Sequence, residues 1–185
     1  LYQENYPYES SLTKAGIDHY TEFANSTTSE YKLEKKDLAV DIGSNTGVLL
    51  NAFKKNNLNI MGVDPAQNIC KVAKRKGIPT INSFFNRISV QKILNRYGKA
   101  KVVTGTNVFA HVDDLNLFVK NIKLLIDKKK GIFVIEAPHF LHLIKNLEYD
   151  TIYHEHLSYI SVKPLISFFK KFKLEIIDVQ QRDIH

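Results

Sequence analysis

Tyr153-His154-Glu155-His156 sets a phenol, two imidazoles and a carboxylate in four consecutive positions, between apolar stretches. Three kinds of chemistry suit such a run. His139, His142, His154 and His156 could ligate a metal, since imidazoles at such spacings are plausible ligands. The run could be a solvated loop without chemistry. Or a histidine could act as a general base flanked by orienting groups, because imidazole changes charge near neutrality.

A second group of residues speaks of a bound ligand rather than a base. Leu38-Ala-Val-Asp-Ile is a short apolar run, consistent with a buried strand. Gly43 and Gly47 bracket a tight turn, and Val48-Leu49-Leu50 with Ala52-Phe53 reads as the apolar face of a helix. Strand, glycine turn and helix start together bring bare backbone amides to a ligand. The turn Gly43-Ser-Asn-Thr-Gly47 is not the fingerprint that admits a pyrophosphate, and no Lys-Ser/Thr pair makes it a P-loop. Asp64 ends a second apolar run about 20 residues on, where a carboxylate suits two ribose hydroxyls. Asp41, inside the end of the first strand, suits a cationic or amino-bearing ligand.

These residues need a scaffold, and the chain alternates strand and helix patterns throughout. Expected strands are Leu38–Ile42, Ile60–Asp64, Pro79–Ile81, Ala100–Thr106, Ile132–Glu136 and Lys173–Val179. Helices are expected from about Ser11 to Thr27, from Val48 to Lys55, over Ala66–Lys76 and over Ile88–Tyr97. Two more are expected, one from an Asp113 cap to Ile126 and one after Ser161 with Pro164 in its first turn. Such alternation predicts a doubly wound α/β fold, a mostly parallel sheet covered on both faces. Ligands then bind beyond the carboxyl ends of the strands, so the residues named above share one rim.

The totals agree with one globular domain of 185 residues, 44% hydrophobic and 24% charged. Net charge is +7, but the lysines are scattered and not interleaved with aromatics, which reads as solvated faces rather than a nucleic-acid surface. Cys70 is the single cysteine, so no disulfide framework and no cysteine zinc site is expected. A cytoplasmic setting follows as the simplest expectation. No stretch of the sequence reads as membrane-spanning.

Asp41-x-Gly43-x-x-x-Gly47 with Asp64 resembles the cofactor site of class I S-adenosylmethionine-dependent methyltransferases, over about residues 38–136. A closer resemblance covers nearly the whole chain. Tyr6-Pro-Tyr-Glu-Ser-Ser11, Asn107-Val-Phe-Ala-His111, Glu136-Ala-Pro138, Tyr149–His156 and Asp178–His185 look like the sugar C-methyltransferase family, which methylates a carbon beside the ketone of a nucleotide-linked deoxy-keto-sugar.

The resemblance implies a Rossmann-like sheet and S-adenosylmethionine as cofactor, with S-adenosylhomocysteine as product and no metal. The cofactor would lie on Asp41, Gly43, Ser44, Asn45, Gly47, Asp64, Pro65 and Asn107, with Phe84 and Phe85 as an adenine wall and one of the two as core. His156 would be the base, and Glu155 would fix its tautomer or contact the sugar. Tyr153, Tyr6 and His111 would donate to the developing enolate oxygen, while His154 would not be catalytic. Glu136 would receive a hydrogen bond from a nearby loop.

The partner is then a small nucleotide-sugar, without nucleic acid or membrane, and the chain a monomer or weak dimer. Residues 1–30 would form a substrate-side loop and helix, and residues 31–185 the cofactor domain. Family members carry a zinc module before and a further domain after this region. The chain is therefore expected to be a piece of a longer protein, with its sheet stopping before a seventh strand. The alternatives are an N- or O-methyltransferase for another small molecule, or a non-catalytic nucleotide-binding module.

Overall fold

Short β-branched and apolar runs, closed by glycine, proline or aspartate, build the sheet. A computed structural model describes residues 13–182. Its strands are β1 (Leu38–Ile42), β2 (Asn59–Asp64), β3 (Thr80–Asn82), β4 (Val102–Thr106) and β5 (Ile132–Glu136). They form one sheet in the order β3-β2-β1-β4-β5, and every pairing is parallel. The order reverses between β1 and β4, which places a crevice beyond their carboxyl ends.

Seven α-helices cover the sheet: α1 (Lys14–Glu30), α2 (Val48–Lys55), α3 (Gln67–Arg75), α4 (Arg87–Tyr97), α5 (Leu115–Leu125), α6 (Phe140–Asn146) and α7 (Val162–Lys170). Alternation along β1 decides which residue serves which face. Ala39 packs with Ala24 of α1, Leu49 and Phe53 of α2 and Ala73 of α3. Leu38, Val40 and Ile42 pack with Val90 and Ile93 of α4, Phe118 and Ile122 of α5 and Phe169 of α7. Among the described residues no helix is long and apolar enough to cross a membrane.

Several expectations need correction. α1 begins at Lys14, where the Thr13 hydroxyl caps it by accepting from Gly16 N–H at 3.2 Å. α5 is capped by Asp114, whose Oδ1 accepts from Leu117 N–H at 2.9 Å. The cap must sit three residues before the amide it satisfies, so Asp113 is one residue out of phase. Residues 173–179 do not form a sixth strand. Leu174 and Ile176 pack on the core while Glu175, Ile177 and Val179 are exposed, so the two-residue alternation is real. Alternation reports a buried face, however, and not a hydrogen-bonded neighbour. The irregular stretch after β5 contains α6 and a 3-10 turn at Tyr149–Thr151.

Candidate active site

The glycine turn is clasped to the next strand. Gly43 N–H and Ser44 N–H both donate to Val63 C=O, at 2.8 and 3.3 Å. Gly43 has φ +66° and Gly47 has φ +81°, where side chains are strained. A Cβ at Gly43 would lie 2.5 Å from Val108 Cγ2, and one at Gly47 would lie 2.7 Å from Ile78 Cγ2. Backbone conformation and close packing thus both require glycine here.

Asp64 ends β2 directly beneath this turn. Its Oδ2 accepts from Asn45 N–H at 2.9 Å and its Oδ1 from Ala66 N–H at 2.8 Å. Burial raises its pKa, and those two amides oppose the rise. Each carboxylate oxygen keeps a further lone pair for a hydroxyl. Ser44 Oγ and Thr46 Oγ1 are buried in the turn without a hydrogen-bond partner. Such groups are costly unless satisfied. The turn therefore fits a polar ligand with hydroxyl and amino groups. Pro65 follows Asp64, and its carbonyl and that of Asp64 accept from Asn82 Nδ2 at 2.8 and 3.2 Å.

Asp41 is wholly buried at the end of β1, facing the side of the sheet that α1 and α2 cover. Burial pushes its carboxyl up to about 7, Thr104 opposes this by donating at 2.6 Å, and Asp64 and Glu136 add to it. A carboxyl so placed favours a nearby cation. The two phenylalanines after β3 differ in setting. Phe85 packs edge-on to Phe118 at 5.3 Å between centroids, whereas Phe84 is 51% exposed. Asn107 is exposed with φ +54°, and its N–H donates to Glu136 C=O at 2.8 Å.

The turn after β4 lies against the Tyr153–His156 loop. Phe109–His111 forms a 3-10 turn anchored by buried Phe109. The loop holding Tyr153–His156 is fastened to it: Leu157 N–H and Ser158 N–H donate to Ala110 C=O at 2.9 and 3.1 Å. His111 Nδ1 lies 2.8 Å from Glu155 C=O, and His156 Nδ1 lies 2.7 Å from Thr151 C=O. A carbonyl only accepts, so both Nδ1 atoms carry the proton. Neutral His156 therefore has its lone pair on Nε2, the form a base requires. Its ring lies 4.8 Å from that of His111 and 4.3 Å from that of Tyr153, centroid to centroid.

These contacts revise two roles. The His156 tautomer is set by the Thr151 main chain rather than by the Glu155 carboxylate. Neutral His111 has given its one ring N–H to Glu155, so it could donate to an enolate only as the imidazolium. Burial, with Glu155 and Tyr159 nearby, raises the Tyr153 pKa, which keeps the phenol a donor. His154 is exposed. Tyr6 lies outside the described residues.

Some participants give no signal in the sequence. His19 of α1 places Nε2 2.8 Å from Glu136 Oε2, across 117 residues of chain. Glu136 does accept from a nearby loop, at its carbonyl from Asn107 N–H, and its carboxylate meets His19 of α1 as well. Thr104 acts through a hydroxyl that only tertiary structure brings to Asp41, and Thr151 through a main-chain carbonyl in the same loop as His156. A small pocket beside His156 is lined by Ala110, Pro138, His139, Phe140, Leu143, Thr151, Ser158 and Tyr159. Among the described residues no group of three or more His, Cys, Asp or Glu is placed to hold a metal ion. Cys70 is buried and its thiol is pushed up to about 11, chiefly by burial and by Asp64, so it is not a nucleophile.

Comparison with known proteins places the fold and the family. A family model described as a methyltransferase domain matches residues 18–179. The C-methyltransferase NovU of Streptomyces niveus is 34% identical over 181 residues, 98% of this chain and 43% of that protein. The chain thus spans less than half the length of that relative. An S-adenosylmethionine-dependent methyltransferase from Clostridium acetobutylicum ATCC 824 superposes with a TM-score of 0.57 at 19% identity, over 71% of this chain and 54% of the other. The plantazolicin methyltransferase BpumL in complex with SAH gives 0.64 at 13% identity, over 86% and 68%. At these identities the structures speak for the fold, and the family model, which spans most of the chain, places it in the methyltransferase-domain family.

Proposed function

We propose that the chain is the cofactor-binding and proton-abstracting part of an S-adenosylmethionine-dependent C-methyltransferase, acting beside the ketone of a nucleotide-linked deoxy-keto-sugar. The observation that carries this reading is the His156 imidazole, held as the Nε2 base by the Thr151 carbonyl. It stands beside Tyr153 and His111 on the turn that follows β4. A carbon beside a ketone needs such a base before it can attack an electrophilic methyl group. The similarity to a C-methyltransferase supports the same choice.

Asp64 would accept the two ribose hydroxyls, and Phe84 would offer its exposed ring to the adenine. Asp41, Gly43, Ser44, Asn45, Gly47, Pro65 and Asn107 would surround the rest of the cofactor. When bound, the cofactor supplies an electrophilic methyl group on a sulfonium. The protein's own task is to make the carbon nucleophilic. His156 Nε2 takes the proton beside the ketone, and the Tyr153 hydroxyl hydrogen-bonds the oxygen on which charge develops. General bases of this kind contribute about 10²–10⁴-fold, and one donor to such an oxygen about 10²–10³-fold. Placement of the two reacting carbons does the remainder.

The test uses the full protein that carries this chain, a nucleotide-linked keto-sugar and deuterated water. Wild type should wash deuterium into the carbon beside the ketone, and His156→Ala should not, while calorimetry shows S-adenosylhomocysteine binding unchanged. Exchange that persists in His156→Ala would remove the base assignment. Absence of S-adenosylhomocysteine binding in wild type would remove the cofactor assignment.

A further inference from the structure

We propose that His19 is a positioning residue, through which α1 holds the ends of β5 and β4 in the register that sets the imidazole pair. This rests on the reading of His156 as base. His19 Nε2 meets Glu136 Oε2 at 2.8 Å, and the two side chains are 16% and 19% exposed. The contact is demanded by the sheet. Ile132 and Val134 of β5 pack among the side chains of α1 and α2, while Phe133 and Ile135 face the other way. Glu136 is next in that alternation, so its carboxylate points at α1. An unpaired carboxylate there would be poorly solvated, and His19 answers it.

Glu136 does more than receive His19. Its carbonyl accepts from Asn107 N–H at 2.8 Å, and Thr106 stands beside it in the β4–β5 register. Asn107 is in the left-handed region, with φ +54°, and turns the chain into Val108–His111. Val108 closes over Gly43 on the cofactor side. Ala110 C=O and His111 Nδ1 fasten the base loop. One path of contacts therefore runs from α1 through Glu136 and Asn107 to His111, and from there to the segment that ends in His156. His19 acts through the backbone geometry of Glu136, not on the reacting atoms.

The path predicts a separation of effects. Removing the His19 ring releases the end of β5 and the turn after β4. It leaves the clasp of Gly43 and Ser44 on Val63, and the grip of Asp64 on Asn45 and Ala66, untouched. Proton abstraction should suffer more than cofactor binding, because the clasp and the Asp64 grip stay in place while Asn107 and Val108, which border the cofactor turn, lie on the released path. Misplacement of a catalytic group by about 1 Å can cost on the order of 10²-fold.

The experiment compares His19→Ala and His19→Gln with wild type in the full protein. Three readouts are taken: deuterium exchange into the keto-sugar, calorimetry with S-adenosylhomocysteine, and the nitrogen resonances of His111 and His156, which report ring tautomer. In His19→Ala, exchange should fall about 10- to 100-fold and the fixed Nδ1–H tautomers should average, with a smaller loss of S-adenosylhomocysteine affinity. His19→Gln keeps an N–H that reaches the carboxylate, and should restore both exchange and tautomers. Unchanged tautomers in His19→Ala overturn the proposal, as does a loss of cofactor affinity as large as the loss of exchange, or a failure of Gln to rescue a folded variant. If wild type itself shows no exchange, the functional reading fails, and the tautomer readout still decides the role of His19.

Discussion

Asp41 illustrates what a single buried carboxyl does to a whole molecule. Burial, and repulsion from Asp64 and Glu136, raise it from the ordinary 3.8 to about 7. Between those values the folded protein keeps a proton that the unfolded chain has released. Stability without ligand is therefore lost as pH rises through that window, by on the order of a few kcal/mol. Asp64, also raised, acts in the same direction. Asp41→Asn should flatten the fall in Tm between about pH 4 and pH 7 and make the ligand-free protein more stable at pH 8. Thermal melts across pH check this, and an unchanged slope would show that Asp41 ionises freely. The types and spacing of Asp41, Asp64 and His156 were visible in the sequence, because each ends or follows a recognisable run. Thr104 and His19 were not, since a residue that matters through one distant contact leaves no local pattern, and the Thr151 carbonyl was not, being a main-chain group that any residue there would supply.

At the level of elements, the strand–turn–helix unit around Gly43 carries the clearest constraint. Gly43→Ala meets a left-handed backbone and Val108 at once, and should cost roughly 1–3 kcal/mol. Melting should drop by several degrees, with S-adenosylhomocysteine binding weakened. Adding Val108→Ala should recover part of the loss in Tm, and a double variant no better than the single would mean that the backbone angle alone is responsible. Apolar runs made β1 to β5 readable, and glycine, asparagine or proline marked their ends. The last run, 173–179, misled because a strand needs an edge to pair with, and side-chain alternation does not say whether one is offered. The fastening of the base loop was unreadable for a related reason. Its contacts are main-chain groups of Ala110, Thr151 and Glu155, which any residue possesses.

Across the whole molecule, the two sides of the sheet divide the labour. One core, around Phe53, Leu49 and Ala39, seats the glycine turn. The other gathers Phe109, Phe118, Phe133, Phe168 and Phe169 in edge-on and tilted contacts beneath the turn that carries His111. Phe109→Leu should cost about 1 kcal/mol, lower Tm by about 2–4 °C and slow deuterium exchange while S-adenosylhomocysteine titrates as in wild type. Equal loss of both activities would show that the two cores are not separable. Charge is divided as well. Asp41, Asp64 and Glu136 lie at the carboxyl ends of the strands. Exposed basic groups such as Lys54, Lys55, Lys74, Arg75 and Lys128–Lys130 lie where helices end and strands begin. There they complement helix C-termini. The +7 balance thus stands apart from the crevice.

The manner in which the Tyr153–His156 loop is fastened bears on which changes it tolerates. Ala110 receives both loop amides through its carbonyl, and the ring of His156 meets another carbonyl, so the attachment is chiefly main-chain, with the His111 ring adding a tie to Glu155 C=O. A change of side chain at exposed Leu157 therefore leaves the loop docked, whereas a proline there removes an amide that Ala110 receives.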